Sequence, residues 1–247
     1  MTTTDVLVEA GPGHPRVRLR SGVLAPRILA TAPGTARIAL VATTATLLGG
    51  DAVDICVRVD DGQRLELDDM AATVAYDGRG RPARWHVSVA VGHRATLVWR
   101  GEPLVVSDGA HVARSTRLDI AEGGRLLLRD VVVLGRHGER GGSLRCSTHA
   151  TYAGAPLLVE QLELADGPDG LRCAPGVLGT ARVVETITCV ADPVPRHMVT
   201  DDDHTVRLDL AGPGLLARHL GTHAHGSPLA TTWDRLSAAF GSGRAGR

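Results

Sequence analysis

Residues 54–68 read DICVRVDDGQRLELD: two runs in which every second residue is apolar (Ile55, Val57, Val59, then Leu65, Leu67), joined by a turn that holds Gly62. Period-2 alternation is the pattern of a strand with one buried face. It recurs at RVRLR (16–20), WHVSVAV (85–91) and TVRLDL (205–210). The turn recurs as well. Val59-x-x-Gly62-Gln63-Arg64-Leu65 resembles Val89-x-x-Gly92-His93-Arg94-Ala95 and Ile120-x-x-Gly123-Gly124-Arg125-Leu126, with a degenerate fourth copy at Gly154-Ala155-Pro156-Leu157. These glycines stand 30, 31 and 31 residues apart. Gly34-Thr35-Ala36-Arg37-Ile38 and Gly179-Thr180-Ala181-Arg182-Val183 are similar units at less regular spacing. A turn that feeds a new strand at a fixed interval predicts stacked β layers, as in a solenoid or a sandwich. Hairpin turns recurring by chance are the alternative.

Helical periodicity is confined to the end of the chain. Leu215, Leu216, His219 and Leu220 predict a short helix over about 213–222. Trp233, Leu236, Ala239 and Phe240 predict a second over 230–240, capped by Thr231 or Thr232. The expected fold is therefore all-β and solenoid-like, with one or two short C-terminal helices. It forms one domain over residues 1–247 and ends in a frayed tail at 241–247.

The chain has 247 residues and a mass of 25.9 kDa, enough for one large core without staples. Its 27 basic residues balance 27 acidic ones, so the formal net charge is zero. That balance argues against sequence-independent nucleic-acid binding, which draws on a basic excess. Aromatic residues make up 2%, too few for a base-stacking surface. Every basic residue is Arg, and Lys and Asn are absent. Schiff-base and P-loop lysine chemistry and N-glycosylation are thereby excluded. Cys56, Cys146, Cys173 and Cys189 form no CxxC pair and read as reduced core thiols. The N-terminus has no basic and apolar leader pattern, and the longest apolar stretch, 38–48, is too short to span a bilayer. A cytoplasmic protein is expected.

Three segments carry candidate chemistry. In LLGGDAVDICVRV (47–59), Gly49 and Gly50 permit a sharp turn and present Asp51, with Asp54 three residues on. The other reading is a turn in which Asp51 bonds local backbone. In VVVLGRHGERGGS (131–143), an apolar strand runs into Gly135-Arg136 and then Gly138-Glu139, either a polar site or an exposed ion pair. His219, His223 and His225 form a third cluster. On a helix His219 and His223 would share a face suited to a metal, whereas Gly221 and Gly226 favour a solvated turn. Asp201-Asp202-Asp203 reads as a solvated loop. There is no GxSxG elbow, no P-loop, no zinc-finger spacing and no nucleophile–base–orienter set.

The strings LLGGDAVDICVRVDDGQRLELDDMAATVAYDG (47–78), GHRATLVWRGEPLVV (92–106) and EGGRLLLRDVVVLGRHGERGG (122–142) resemble the urease accessory protein UreD family, also called UreH. The closing LLARHLGTHAHGSPLATTWDRLSAAF (215–240) is similar to that family's final segment with its tryptophan. The likeness runs from about residue 20 to 240. Two places depart from the family's pattern: only His137 separates the Gly-Arg and Gly-Glu pairs, and Asp68-Asp69 stand where Thr is common. The resemblance implies a non-enzymatic all-β scaffold that binds UreF and, through it, the GTPase UreG, and docks on apo-urease to deliver nickel. It implies no permanent cofactor, with nickel handled transiently by polar residues that line a passage inside the fold. Asp51, Asp54, Arg136 and Glu139 are the expected functional polar residues, with Gly49, Gly50 and Gly135 shaping their turns. Carboxylates suit transient transit, because hard oxygen ligands hold this borderline metal less tightly than Cys and His do. Leu216, Leu220, Trp233 and Phe240 either anchor a partner or cap the open end of the β stack. Two rival readings remain: a small metal-dependent hydrolase built on His219, His223 and His225, and a β-solenoid adaptor with no metal role.

Overall fold

The computed structural model describes residues 3–43, 46–165, 171–174, 176–223 and 225–241. The chain opens with two antiparallel hairpins, β1 (Thr4–Glu9) with β2 (Arg16–Arg20) and β3 (Leu24–Ala32) with β4 (Thr35–Ala42), followed by the short β5 (Thr46–Leu47). Coils then stack in sequence order. One coil is β6 (Ala52–Val59), β7 (Arg64–Asp69) and β8 (Thr73–Ala75). The next is β9 (Ala83–Val91), β10 (Thr96–Arg100) and β11 (Leu104–Val106). In the next, β12 (His111–Ile120) leads to β13 (Arg125–Leu134), which is long enough to occupy both later positions. A hairpin of β14 (Ser143–Tyr152) and β15 (Ala155–Leu164) ends one sheet. The antiparallel strands β16 (Val183–Val190), β17 (Thr205–Asp209) and β18 (Gly214–Gly221) end the other, before the helix α1 (Leu229–Gly241).

The result is a β-solenoid of about four turns. Sheet A runs β15-β14-β12-β9-β6-β1-β2, and sheet B runs β17-β18-β16-β13-β10-β7-β4-β3. A third, narrow ladder joins β5, β8, β11 and the end of β13. Alternation in sequence becomes aligned rows inside the stack. Val6, Val57, Val89, Leu118 and Ala150 form one row in sheet A, and Ala36, Leu65, Leu97, Leu126 and Val190 form one in sheet B. All ten are buried. Each strand stacks its apolar face on the same face of the next coil, which is why a 2-residue period suffices to specify a solenoid.

The repeated turn is real, but its register differs from the glycine spacing. Arg64 pairs with Thr96 and Thr96 with Arg125, so the coil steps are 32 and 29 residues. The left-handed position of the turn is filled by Gly62, Arg94 and Gly123, with φ of 67°, 51° and 69°. Gly92 therefore does not match Gly62. It is small because a Cβ there would lie 2.4 Å from Asp61 Oδ1. Gly154, the fourth copy, heads the β14–β15 hairpin instead of another coil.

The expected helix over 213–222 is strand β18. Leu215 and Ala217 pack outward under α1 while Leu216 and Arg218 point inward, so β18 is covered on both faces. A strand buried on both sides loses its alternation and mimics a short apolar helix. The second helix is present. It begins at Leu229, with Leu229 N–H donating to Ser227 Oγ at 3.2 Å; Thr232 lies inside it and does not cap it. The helix covers the outer face of sheet B and not the end of the stack. Leu229, Trp233, Leu236 and Phe240 bury against Val98, Leu127, Ile187, Cys189, Leu215 and Ala217. Two arginines of the repeat hold its C-terminal end: Arg64 Nη1 donates to Phe240 O at 2.8 Å, and the Arg125 guanidinium stacks 4.2 Å from the Phe240 ring. Cations at this end suit the free carbonyls and the helix dipole. The frayed tail expected at 241–247 lies, from 242 onward, outside the described residues. Among the described residues no helix is long and apolar enough to cross a membrane.

Candidate functional site

Inside the stack the rows change character along the solenoid. In sheet A the row Val53, Trp85, Arg114, Cys146, Leu162 starts apolar, turns polar at Arg114 and Cys146 and ends apolar, whereas Ile55, Val87, Thr116, Thr148, Glu160 turns polar and stays so to the last strand. In sheet B the matching row is Asp130, Thr186, Arg218. From Trp85 and Val87 onward these inward side chains line a void of about 80 Å³ between the two sheets, also lined by Asp69, Trp99 and Glu102. A water needs roughly 10–15 Å³ by this measure, so the void has room for several. Two buried donors on its wall, Trp85 Nε1 and Arg114 Nε, have no protein partner.

Ion pairs cross the bore. Arg114 of β12 is bonded to Asp130 of β13, joining sheet A to sheet B. Arg218 of β18 grips Glu160 of β15 with both nitrogens, at 2.6 and 2.8 Å, and its Nε donates to Thr186 Oγ1 at 3.2 Å. Asp69 accepts from Trp99 Nε1 at 3.0 Å and from the Glu102 amide at 3.2 Å. Burial nonetheless pushes its carboxyl up to about 6. Cys146 is pushed up to about 12, chiefly by burial, so it stands in the bore as a neutral thiol and a poor metal ligand. Beside the bore the fully buried Glu185 accepts from Arg129 Nε at 2.6 Å, and its Oε2 has no partner.

The residues singled out from sequence lie elsewhere. Asp51 accepts from the Leu48 amide at 2.8 Å in a coil corner. Gly50 takes φ 95° there, and a Cβ on Gly49 would lie 2.4 Å from Arg81 O and Gly78 Cα. This glycine pair lets one corner stack on the next. Asp54 faces outward on sheet A beside His86, whose Nδ1 lies 2.8 Å from Ser115 Oγ. Glu139 is bonded to the Arg136 guanidinium at 2.5 and 2.8 Å and to the Arg136 amide at 2.8 Å, which holds its carboxyl below the usual range. Gly135 takes φ 76° in the same corner. None of Asp51, Asp54, Arg136 and Glu139 lines the void.

Trp233 and Phe240 are buried within the chain's own fold, and Leu216 lines the void, so none of the three is presented as a surface anchor; Leu220 is partly buried against the core. His219 sits on strand β18, not a helix, with Nδ1 3.0 Å from Thr205 Oγ1, while His223 Nδ1 is 2.9 Å from Thr222 Oγ1. Among the described residues no three His, Cys, Asp or Glu side chains are grouped to hold a metal ion. The thiols are unpaired. Cys189 is buried, but Cys173 is exposed, which corrects its reading as a core residue.

The pattern of the family described as UreD urease accessory protein matches residues 20–240. The chain belongs to the UreD family. It is 45% identical over 224 residues to urease accessory protein UreD 1 of Streptomyces griseus, covering 90% of this chain and 85% of that protein. It is 36% identical to urease accessory protein UreD of Frankia alni, covering 89% and 87%. A UreD 1 protein of Saccharopolyspora erythraea is 39% identical over 70% of this chain and 68% of its own. UreD membership implies a role in urease maturation.

The polar bore of this UreD chain was missed because its residues are scattered over strands. The signal was available: Arg114, Thr116, Asp130, Cys146 and Thr148 occupy inward positions of otherwise alternating strands, where an apolar residue belongs. A charged residue on a buried face is rarely retained without a partner or a purpose. Of the Asp68-Asp69 pair, Asp68 turns outward to Arg37 at 3.1 Å and Asp69 turns into the void.

Two predictions arise here. Between about pH 4 and 6 the unfolded chain ionises Asp69 while the folded chain keeps it protonated. An acid raised on folding makes stability fall as pH rises through that window and stay level above it. Asp69→Asn should lack this component. The urea midpoint of the variant relative to the unaltered chain should climb from pH 4 to 6 and then flatten; a constant difference across the range would refute the assignment. Asp51→Ala should cost only about 0.5–1.5 kcal/mol, the worth of one turn hydrogen bond. Urease activation should follow the amount of soluble chain. A loss of activation far beyond the loss of soluble chain would show a direct role for Asp51.

Proposed function

We propose that this chain is a non-catalytic scaffold of urease maturation. With a UreF-type partner, and through it a UreG-type GTPase, it docks on apo-urease in the cytoplasm and helps pass nickel to the urease active site. Nickel is cargo in this reading and no cofactor resides in the chain.

The observation that carries the reading is the change from an apolar to a charged interior along one solenoid. A stack held by burial alone gains nothing from Arg114, Asp130, Glu160 and Arg218 inside it, because a buried ion pair seldom stabilises more than apolar residues of the same size. Their presence there calls for another role. Asp69, Glu102, Asp130 and Glu160 offer oxygen ligands, and Arg114 and Arg218 already share two of them. An ion meeting such ligands is bound weakly and released, which suits delivery rather than storage.

The test is co-purification of urease with its maturation proteins, with and without this chain, followed by nickel analysis of the urease. The expected result is that omitting the chain leaves the urease nickel-poor and removes the partner complex. Full nickel loading without the chain would overturn the reading.

A further inference from the structure

The Arg218–Glu160 pair differs from the other ion pairs of the chain in its position. Glu160 belongs to β15, the last strand of sheet A, and Arg218 to β18, next to the last strand of sheet B. The pair therefore spans the bore at the end where no further coil follows. Two features locate that end as a mouth. Val206 and Leu208 of β17 stand opposite Arg218 and Leu216, and directly paired residues of antiparallel strands share a face. That face is the one that lines the void. Yet Val206 is 45% and Leu208 48% exposed, so the inner surface of sheet B runs out of the bore into solvent just past Arg218. The side chains of Arg218 and Glu160 keep 19% and 28% of their surface open, against 16% and 35% for Arg114 and Asp130, so it is the place at the end of the stack that sets this pair apart.

We propose that Arg218 is an exchangeable plug in this mouth. Its guanidinium occupies the place on Glu160 that a cation must take to enter or leave the void. Glu160 gives it up only to a cation that binds a carboxylate more strongly than a bidentate guanidinium does. Thr186 Oγ1, already bonded to Arg218 Nε, keeps the displaced side chain near the wall so that the plug can return. The exchange moves charge and breaks no covalent bond: the metal replaces the guanidinium on the carboxylate, and the arginine keeps its proton. A threshold of this kind admits divalent transition metals, and among them favours those high in the Irving–Williams order, while excluding monovalent ions. The inference rests on the reading of nickel as cargo.

The two charges make opposite predictions, which a merely structural salt bridge does not. Arg218→Gln removes the plug and frees Glu160. Glu160→Gln removes the ligand and leaves a cation in the mouth. In cells carrying the urease and its maturation proteins, activation is titrated against nickel supply, and the chain that co-purifies with urease is quantified for each variant. Glu160→Gln should raise the nickel needed for half-maximal activation by about tenfold, since like charges a few ångströms apart interact strongly in a low-dielectric bore. Arg218→Gln should lower it several-fold. The double variant, with neither charge, should return toward the unaltered value, as a double-mutant cycle of a plug and its seat requires. Should one single variant fail to accumulate, the other single and the double still decide. A shift in the same direction for both singles, or a double variant as impaired as the worse single, overturns the plug. If omitting the whole chain leaves nickel loading intact, the maturation reading itself falls; if the chain is needed and the singles shift together, only the plug falls.

Discussion

Trp233→Ala is expected to cost the chain about 3–5 kcal/mol, the range for removing a large buried aromatic side chain. Trp233 is 5% exposed and sits between Leu229 and Leu236 on the face of α1 that meets sheet B. The loss is a large part of the roughly 5–15 kcal/mol by which a domain is stable. It also uncovers Val98, Leu127, Ile187 and Leu215, which α1 shields. The variant should be insoluble alone and should stay poorly soluble when maturation partners are co-expressed, because the damage lies inside the chain. Soluble yield with and without partners is the measurement. A variant as soluble as the unaltered chain that no longer co-purifies with a partner would show that Trp233 is an external anchor after all.

The second large effect is in the bore. Asp130→Ala should destabilise the chain by about 1–3 kcal/mol, since it leaves the largely buried Arg114 guanidinium without its counter-charge, while the 35% open Asp130 side chain keeps the loss below that of a fully buried pair. Replacing both partners separates stability from function. Arg114→Met with Asp130→Leu keeps the volume apolar and should restore the urea midpoint to near that of the unaltered chain, or above it. Urease activation should nonetheless stay impaired, because the polar wall is gone. Recovery of both stability and activation in the double variant would mean that the pair only holds the sheets together.

Much of the solenoid can be read from alternation alone. Strands β6, β7, β9 and β17 fall where Ile55, Leu65, Val87 and Val206 mark a 2-residue period, and the Gly-x-Arg turns lie at coil corners. What escaped was whatever depends on pairing between distant strands. Gly92 aligns with Gly62 in the repeat, although the strand register puts Arg94 there; a left-handed arginine has no sequence mark. β18 passed for a helix because α1 and the bore cover both its faces. The bore was hidden for the same reason. Arg114 and Asp130 are 16 residues apart and look like ordinary surface charges until the two sheets face each other. Conversely, Asp51 and Glu139 stood out because glycines surround them, and those glycines answer to the tight packing of coil corners.

The clasp on α1 has a consequence for synthesis. Each coil pairs with the one before it, so the stack can grow as the chain leaves the ribosome, one layer of about 30 residues at a time. The helix is different. Its seat spans strands β10 to β18, and its two arginine holds, Arg64 and Arg125, were made more than a hundred residues earlier. Until the last turn of α1 emerges, this part of the outer face of sheet B stays bare to solvent. The most vulnerable moment of this protein is thus the interval before α1 is made, when a nearly complete stack still lacks its cover.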